Sequence, residues 1–229
     1  MLANSHFFFL GAYLCAVAGL ALYGFNSLVM TFLFGVHRGR KQSSCPPPES
    51  WPSVTIQLPI YNERLVVGRL IDAAARLDYP RERLTIQVLD DSTDETTTLA
   101  RARAAHYRKL GINIAYLHRT RRKGFKAGAL ADALPHAAGE FIAIFDADFL
   151  PGSSFLKLVI PQFADPQVGM VQTRWGHLNA KQSVLTRVQA IALDGHFVVE
   201  QTARSCAGLF FNFNGSSGVW RRACIQDAG

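Results

Sequence analysis

The fold of this chain is indicated most directly by residues 141–148, which read FIAIFDAD. Five apolar residues in succession are followed at once by two aspartates on either side of an alanine. A short apolar run of this kind is typical of a strand buried on both faces of a parallel sheet. We therefore expect a buried strand that ends in a pair of carboxylates.

Apolar runs and amphipathic stretches alternate on both sides of that strand. The patterns predict further strands at residues 54–58, 84–89, 112–117 and 168–173, and helices at 62–77, 94–110, 126–134, 153–163 and 182–201. This alternation is typical of an α/β domain with a mostly parallel sheet. Ligands of such sheets bind beyond the carboxyl ends of the strands, so the residues that follow each strand are the candidates for function.

Charge is distributed unevenly along the chain. Residues 1–37 contain no Lys, Arg, Asp or Glu, so all 24 basic and 17 acidic residues lie from Arg38 onward. Residues 6–37 are predicted to form one transmembrane helix, because the apolar run exceeds the roughly 20 residues that a bilayer requires. A cleaved signal peptide is the alternative, but no basic residue precedes the run. This distribution excludes a purely soluble protein, a disordered chain and a disulfide miniprotein.

The segment after the apolar run predicts topology and domain boundaries. The basic residues Arg38, Arg40 and Lys41 follow the run directly, so the positive-inside rule places the rest of the chain in the cytoplasm. Residues 38–53 are predicted to be a basic, proline-rich linker, and residues 54–229 a single α/β domain. The sequence thus predicts a membrane protein with a single-pass N-terminal anchor and a cytoplasmic domain.

The acids after the predicted strands suggest a metal and a nucleotide. Asp146 and Asp148 can share a hard cation such as Mg²⁺ or Mn²⁺ together with phosphate oxygens, although two nearby acids also occur by chance in loops. Asp90 and Asp91 follow the second predicted strand, where a carboxylate can accept hydrogen bonds from a nucleobase or a ribose. Ser92, Asp94 and Glu95 are interpreted as the cap of the next helix.

A basic stretch lies between these two acidic pairs. Lys126 opens a predicted helix, and a helix N-terminus beside a lysine suits a diphosphate. The preceding Arg119, Arg121, Arg122 and Lys123 are compatible with a solvated loop or with a nucleic-acid patch. Acids that bind a metal, combined with a diphosphate site, favour a nucleotide-diphosphate donor, so we predict no nucleic-acid partner. No G-x-G-x-x-G follows the first predicted strand, which argues against a dinucleotide-binding Rossmann domain.

Seven ordered blocks between residues 54 and 229 resemble glycosyltransferase family 2, and within it the cellulose-synthase-like mannan and glucomannan synthases. The blocks are LPIYNE at 58–63, QVLDDSTD at 87–94, KGFKAG at 123–128, FDAD at 145–148, VQTRW at 171–175 with Asn179, LDGHF at 193–197 before VEQ at 199–201, and FNGSSGVW at 213–220. The resemblance implies an α/β fold of the GT-A type, Rossmann-like but without the glycine fingerprint, preceded here by one transmembrane helix.

The resemblance also implies a role for particular residues. Tyr61 and Glu63 would line the base pocket, and Asp91, with Asp90 beside it, would hold the base. Lys126 would contact the diphosphate. The metal ligands would be Asp146 and Asp148, and the donor sugar and the acceptor would face Asn212, Asn214, Gly215 and Ser216; the alternative for this last group is a turn built from Asn and Gly.

The resemblance covers only the N-terminal portion of such synthases. Their catalytic base, their acceptor-channel Gln-x-x-Arg-Trp motif and their C-terminal membrane helices are expected downstream of Gly229, and residues 172–175 have the wrong spacing to be that motif. The implied activity is inverting transfer of a hexose from GDP-mannose, UDP-glucose or GDP-glucose to a growing β-linked polysaccharide. This stretch alone is expected to be inactive. A polyprenyl-phosphate glycosyltransferase and a non-catalytic remnant that binds nucleotide sugar are the alternatives.

Overall fold

The chain folds as two compact units in a computed structural model that describes residues 2–39, 45–210 and 212–228, with side chains from residue 6 onward. One unit comprises residues 43–173 and 213–229, and the other comprises residues 1–42 and 174–212. Residues 174–212, which the sequence assigns to the α/β domain, therefore group with the N-terminal helix. Part of the predicted linker, residues 40–44, lies outside the described residues, as do Phe211 and Gly229.

The first unit is built on a six-stranded sheet. Its strands are β1 (Val54–Ile60), β2 (Leu84–Asp90), β3 (Ile114–His118), β4 (Phe141–Ile144), β5 (Met170–Gln172) and β6 (Gly218–Arg221). The strand order is β3-β2-β1-β4-β6-β5; the first four strands are parallel, and β6 runs antiparallel to both β4 and β5. The predicted α/β fold with a mostly parallel sheet is confirmed.

Strands β1 and β4 lie at the centre of the sheet and are buried along their whole length. Val54 of β1 pairs with Phe141 of β4, and all residues of both strands are buried. The polar Gln57 is accommodated because its amide donates to the side chain of Gln87 on β2, at 3.0 Å. Residues 141–148 therefore begin as a buried central strand, as their composition predicts.

Helices flank the sheet. They are α2 (Val67–Ala75), α3 (Thr96–Lys109), α4 (Phe125–Ala133), α5 (Phe155–Val159) and α8 (Arg222–Ala228), with short 3₁₀ turns at Arg81–Arg83, Leu134–His136 and Ile160–Ala164. Helix α2 buries Val67, Leu70, Ile71 and Ala74 in the core that α2 shares with β1 and β2. This spacing of three and four residues puts one apolar side of the helix on the sheet.

The starts of helices α2 and α3 differ from the sequence prediction. The helix predicted from residue 62 begins at Val67, because Asn62 has a φ of 56° and its side chain accepts the backbone N–H of Thr93 at 2.9 Å. Of Ser92, Asp94 and Glu95, which the sequence predicts to cap the next helix, Ser92 and Glu95 do not form a capping box. Instead Asp94 Oδ1 accepts the N–H of Thr96 at 2.9 Å, while Ser92 Oγ accepts the N–H of Asn62 at the same distance. These contacts join the ends of β1 and β2.

The second unit is helical. Helix α1 (Leu2–His37) contains the segment His6–His37, which is long and apolar enough to cross a membrane by length and composition. Helix α6 (Val184–Asp194) continues through a π-helix (Gly195–Gln201) into α7 (Thr202–Cys206), and the π-helix and α7 pack against α1. Ser183 and Thr186 cap α6 reciprocally. The long helix predicted at residues 182–201 is thus present, with a change of helical pitch near its end.

Candidate active site

A cleft of about 340 Å³ lies at the carboxyl ends of β1, β2 and β4. It is bordered by the residues that directly follow those three strands and by the start of α4. Of the predicted site residues it collects Tyr61, Glu63, Asp91, Lys126, Asp146 and Asp148. Parallel strands end at a common edge, so residues separated by up to 87 positions in the chain meet there.

Asp91 is held in place by an arginine. Arg119 donates from Nε to Oδ1 of Asp91 at 2.7 Å and from Nη2 to Oδ2 at 2.6 Å. The same guanidinium bonds Asp132 at 2.8 Å and the backbone carbonyls of Lys123 and Phe125. The hydrogen bonds to Asp91 and Asp132 raise the pKa of Arg119 above its ordinary value, which is already high, so the guanidinium remains charged. Arg119 therefore ties the end of β2 to the loop that leads into α4.

Asp90 does not line the cleft. Its side chain is completely buried; Oδ1 accepts the N–H of Ser92 at 2.8 Å and Oδ2 accepts the hydroxyl of Tyr116 at 2.5 Å. Burial, and then the bond to Asp90, raise the pKa of Tyr116 to about 12, so its phenol stays a neutral donor at physiological pH. His118 Nδ1 is 3.4 Å from the same carboxylate. These contacts hold Asp90 inside the sheet unit, and direct contact of Asp90 with a nucleotide stays a prediction.

Tyr61 borders the cleft together with Arg122, a residue to which the sequence assigned no role at this site. The guanidinium carbon of Arg122 lies 3.5 Å from the centroid of the Tyr61 ring and 5.1 Å from that of Phe125. A guanidinium over an aromatic face is a favourable electrostatic contact. Arg122 also lines the cleft, so it becomes a candidate site residue, although its basic surroundings in the sequence suited a solvated loop or a nucleic-acid patch.

Lys126 and Asp146 form an ion pair at the opposite side of the cleft. The ammonium of Lys126 bonds Oδ1 of Asp146 and also donates to the carbonyl of Gly215 at 2.7 Å. The backbone N–H of Asp146 donates to Ser216 Oγ at 2.8 Å. Lys126 belongs to α4, Asp146 follows β4, and Gly215 lies in the segment before β6. These contacts therefore join three separate parts of the sheet unit.

The residues predicted to face the sugar and the acceptor are divided between the two units. Asn214, Gly215 and Ser216 belong to the turn before β6, and the N–H of Asn214 donates to the side chain of Gln172 on β5 at 3.0 Å. Asn212 belongs to the helical unit, where its carbonyl accepts from Gln201 Nε2 at 3.3 Å. Gly215 contacts the cleft residue Lys126, and Ser216 contacts the cleft residue Asp146.

The oxygen ligands available in the cleft fit a hard divalent cation. Asp146 and Asp148 flank the buried Ala147 at the end of β4, and Asp148 is exposed. No group of three or more His, Cys, Asp or Glu that can hold a metal occurs among the residues that the structure describes. Two carboxylates without nitrogen or sulfur ligands suit Mg²⁺ or Mn²⁺, which complete their coordination with phosphate oxygens and water.

The parallel sheet, the acids that follow β2 and β4, and the lysine at the start of α4 define a GT-A-like α/β domain. The chain belongs to the family described as glycosyltransferase like family 2, whose family model matches residues 52–229.

Two curated relatives are glucomannan 4-beta-mannosyltransferases. The chain is 44% identical over 185 residues to glucomannan 4-beta-mannosyltransferase 2 of Arabidopsis thaliana, and 43% identical over 185 residues to glucomannan 4-beta-mannosyltransferase 1 of Oryza sativa subsp. japonica. Each alignment covers 79% of this chain but only 35% and 36% of the relatives, respectively. The chain thus spans about a third of the length of these relatives.

Solved structures show the same fold. The mannosyltransferase PcManGT from Pyrobaculum calidifontis, in complex with GDP-Man and Mn²⁺, aligns with a TM-score of 0.75 and 29% identity, over 93% of this chain and 57% of PcManGT. Residues 1–349 of S. aureus TarS, in complex with UDP-GlcNAc, align with a TM-score of 0.52 and 18% identity, over 77% of this chain and 47% of the TarS chain. The TarS similarity concerns the fold alone.

Proposed function

We propose that this chain is part of a membrane-anchored inverting glycosyltransferase that transfers mannose from GDP-mannose to a growing β-linked polysaccharide. The observation that carries the proposal is the meeting of Asp91, Lys126, Asp146 and Asp148 in one cleft of a family 2 domain. The names of the relatives, glucomannan 4-beta-mannosyltransferases, support mannose as the sugar. The GDP-Man and Mn²⁺ bound to PcManGT support the nucleotide and the metal.

In this proposal the base of the nucleotide lies between Tyr61 and Asp91. Tyr61 offers an aromatic face for stacking, and Asp91 offers carboxylate oxygens to the N–H groups of the base. Arg119 occupies one lone pair on each of those oxygens, so each oxygen can accept a further hydrogen bond. Glu63 is exposed at the rim of the cleft and completes this end of it.

The diphosphate lies beside Lys126 and the acid pair. A cation held by Asp146 and Asp148 would offset the negative charge that grows on the leaving diphosphate. The ammonium of Lys126 adds a further positive charge at the same place. The turn residues Gly215 and Ser216 hold Lys126 and Asp146 in position, and Asn212 and Asn214 are proposed to contact the sugar or the acceptor.

The proton of the attacking hydroxyl requires a general base. The cleft offers four carboxylates, and the proposal already assigns Asp91 to the base of the nucleotide, Asp146 and Asp148 to the metal, and Glu63 to the rim. We therefore place the catalytic base outside this set of residues, and expect the cleft by itself to bind the donor without transferring the sugar.

Helix α1 is proposed to anchor the enzyme in the bilayer, with the α/β domain in the cytoplasm. Its large apolar side chains from Phe7 to Leu28 are exposed, and they cover about the 20 residues that a bilayer core requires. We expect the protein to resist carbonate extraction and a C-terminal reporter to lie in the cytoplasm. A reporter outside the cell would contradict the topology.

Binding of nucleotide to the full chain in detergent micelles tests the central claim. We expect GDP to bind at least tenfold more tightly with Mn²⁺ than with a chelator, and Asp148→Ala to abolish that difference. Asp78→Ala is the matched control, since Asp78 pairs with Lys157 and does not line the cleft. Equal affinity of the parent chain for GDP with and without metal would reject the proposed site.

A further inference from the structure

The ion pair between Lys126 and Asp146 unites two residues that the proposed function assigns to different ligands. The proposed function gives Lys126 to the diphosphate and Asp146 to the metal, yet the ammonium bonds the carboxylate directly. Both side chains are partly accessible, with 37% and 34% of their surface exposed, so ligands that enter the cleft can reach them. The contact is therefore made by groups that must also meet those ligands.

A cation bound at Asp146 and the ammonium of Lys126 compete for the same negatively charged carboxylate. Oδ1 of Asp146 already accepts a hydrogen bond from Lys126, and a divalent ion bound to this carboxylate would lie within a few ångströms of a positive nitrogen. Like charges at that distance repel each other strongly in a partly buried site. Asp148 makes no ion pair with any residue that the structure describes, so the second acid offers the cation its charge without such a competitor.

The lysine can leave Asp146 without leaving the cleft. An ammonium has three N–H donors, and Lys126 uses one for Asp146 and one for the carbonyl of Gly215. A flexible four-carbon side chain allows the nitrogen to move while Gly215 still holds it. A diphosphate supplies several anionic oxygens, and these can replace the carboxylate as the partner of the ammonium.

We propose that Lys126 blocks the metal-binding carboxylate until a nucleoside diphosphate draws it away, so that metal and nucleotide bind cooperatively. The inference rests on the proposed function and adds a residue that couples the two ligands. The metal alone binds weakly, because it must displace the ammonium from Asp146. With nucleotide present the ammonium has a new anionic partner, and Asp146 becomes available. By linkage, Mn²⁺ then raises the affinity for GDP by the same factor as GDP raises that for Mn²⁺.

The affinity of the full chain for Mn²⁺ alone tests this coupling. The protein in detergent micelles is titrated with Mn²⁺, and free Mn²⁺ is followed by its electron paramagnetic resonance signal, first without nucleotide and then with saturating GDP. Because GDP itself binds Mn²⁺, the titration with GDP is compared with one that contains GDP but no protein. For the parent chain we expect GDP to raise the affinity for Mn²⁺ by about tenfold or more. For Lys126→Met we expect the affinity for Mn²⁺ alone to rise by a similar factor and the effect of GDP to shrink.

Two further variants make the result interpretable. Lys126→Arg keeps a positive charge beside Asp146, so its affinity for Mn²⁺ alone should match that of the parent. Lys157→Met removes a lysine that pairs with Asp78 in the same unit, and it should change neither ligand's binding. Thermal unfolding of each variant shows whether it is folded. If Lys126→Met is unfolded, Lys126→Arg still tests whether a positive charge beside Asp146 keeps the affinity for Mn²⁺ low.

The outcomes separate this inference from the proposed function. Mn²⁺ binding to Lys126→Met that is unchanged or weaker than that of the parent would overturn the competition, while GDP binding by the parent would leave the proposed function intact. A higher affinity of Lys126→Arg for Mn²⁺ alone would overturn it as well. A parent chain that binds neither GDP nor Mn²⁺ would reject both the proposed function and this inference.

Discussion

Arg119 and Asp91 form a bidentate ion pair, with Nε 2.7 Å from Oδ1 and Nη2 2.6 Å from Oδ2. Only 16% of the arginine side chain and 4% of the aspartate side chain are exposed. The planar guanidinium matches both carboxylate oxygens, so it fixes the orientation of Asp91 as well as neutralising it. One arginine thereby sets the geometry of the acid that is proposed to hold the base of the nucleotide.

Substitution of Arg119 is therefore expected to affect both stability and binding. Arg119→Ala leaves Asp91 buried without its partner, which should lower the free energy of unfolding by on the order of 3 kcal/mol. Arg119→Lys keeps the charge but cannot form the bidentate pair, so we expect a milder loss of stability and about a tenfold loss of affinity for GDP, equal to about 1.4 kcal/mol. Thermal unfolding and equilibrium binding measure the two effects.

Arg103→Lys is the matched control for Arg119→Lys. Arg103 forms a similar bidentate pair with Asp72 between α3 and α2, and neither residue lines the cleft. This variant should lose stability without losing affinity for GDP. Unchanged affinity for GDP in Arg119→Lys would show that Arg119 is not needed to position Asp91.

The neighbouring aspartates 90 and 91 are expected to respond differently to the same substitution. Asp91→Asn puts an amide in the cleft and weakens the pair with Arg119, so affinity for GDP should fall by about tenfold or more. Asp90→Asn replaces an acid that is buried against Ser92 and Tyr116, so stability should fall while affinity for GDP changes less than about threefold. Binding and unfolding measurements on both variants test whether Asp91 serves binding and Asp90 serves stability. A larger loss of GDP affinity in Asp90→Asn than in Asp91→Asn would contradict this assignment.

Five of the six strands could be predicted from the sequence, but strand β6 and the starts of helices α2 and α3 could not. The apolar runs at residues 54–58, 84–89 and 141–145 predict β1, β2 and β4 to within two residues, because a strand buried on both faces has a continuous apolar composition. The starts of α2 and α3 depend on hydrogen bonds between Asn62 and the segment at Ser92 and Thr93, about thirty residues away. Local capping patterns carry no information about such contacts.

The sequence could predict which residues lie at the candidate site, but it predicted fewer of the contacts between them. The sequence indicated which acids follow each strand, and those of β2 and β4 do meet in one cleft. Successive residues of an extended chain point to opposite sides, so only one of Asp90 and Asp91 can face the cleft. The alternation alone does not say which; it was the family resemblance that implied Asp91. The role of Arg122 depends on a contact with Tyr61, which lies 61 positions earlier in the chain and which no local pattern reveals.

The ion pair between Asp72 and Arg103 is expected to make stability depend on pH. The hydrogen bonds from Arg103, and then that from Tyr107, hold the pKa of Asp72 below its ordinary value. A carboxyl with a lowered pKa in the folded state stabilises the protein above its unfolded pKa, and this contribution is lost as the pH falls through the folded value. Asp72→Asn should therefore lower the melting temperature at pH 7 and have a smaller effect below about pH 4. Thermal unfolding of both proteins across this range measures the difference, and a difference independent of pH would contradict it.

Gly128 is expected to be required for the position of Lys126. A Cβ at this residue would lie 2.1 Å from the carbonyl oxygen of Lys123, which belongs to the backbone just before α4 and cannot rotate away. Gly128→Ala should therefore displace the first turn of α4, lower the free energy of unfolding by about 1–3 kcal/mol and weaken binding of GDP. Gly68 in α2 is the control, because a Cβ there meets no atom within 4 Å, and Gly68→Ala should raise stability by about 0.4–1 kcal/mol without changing GDP affinity. Unfolding and binding measurements on the two variants decide the matter: a Gly128→Ala protein as stable as the parent, with unchanged affinity for GDP, would show that the loop before α4 can move without disturbing the cleft.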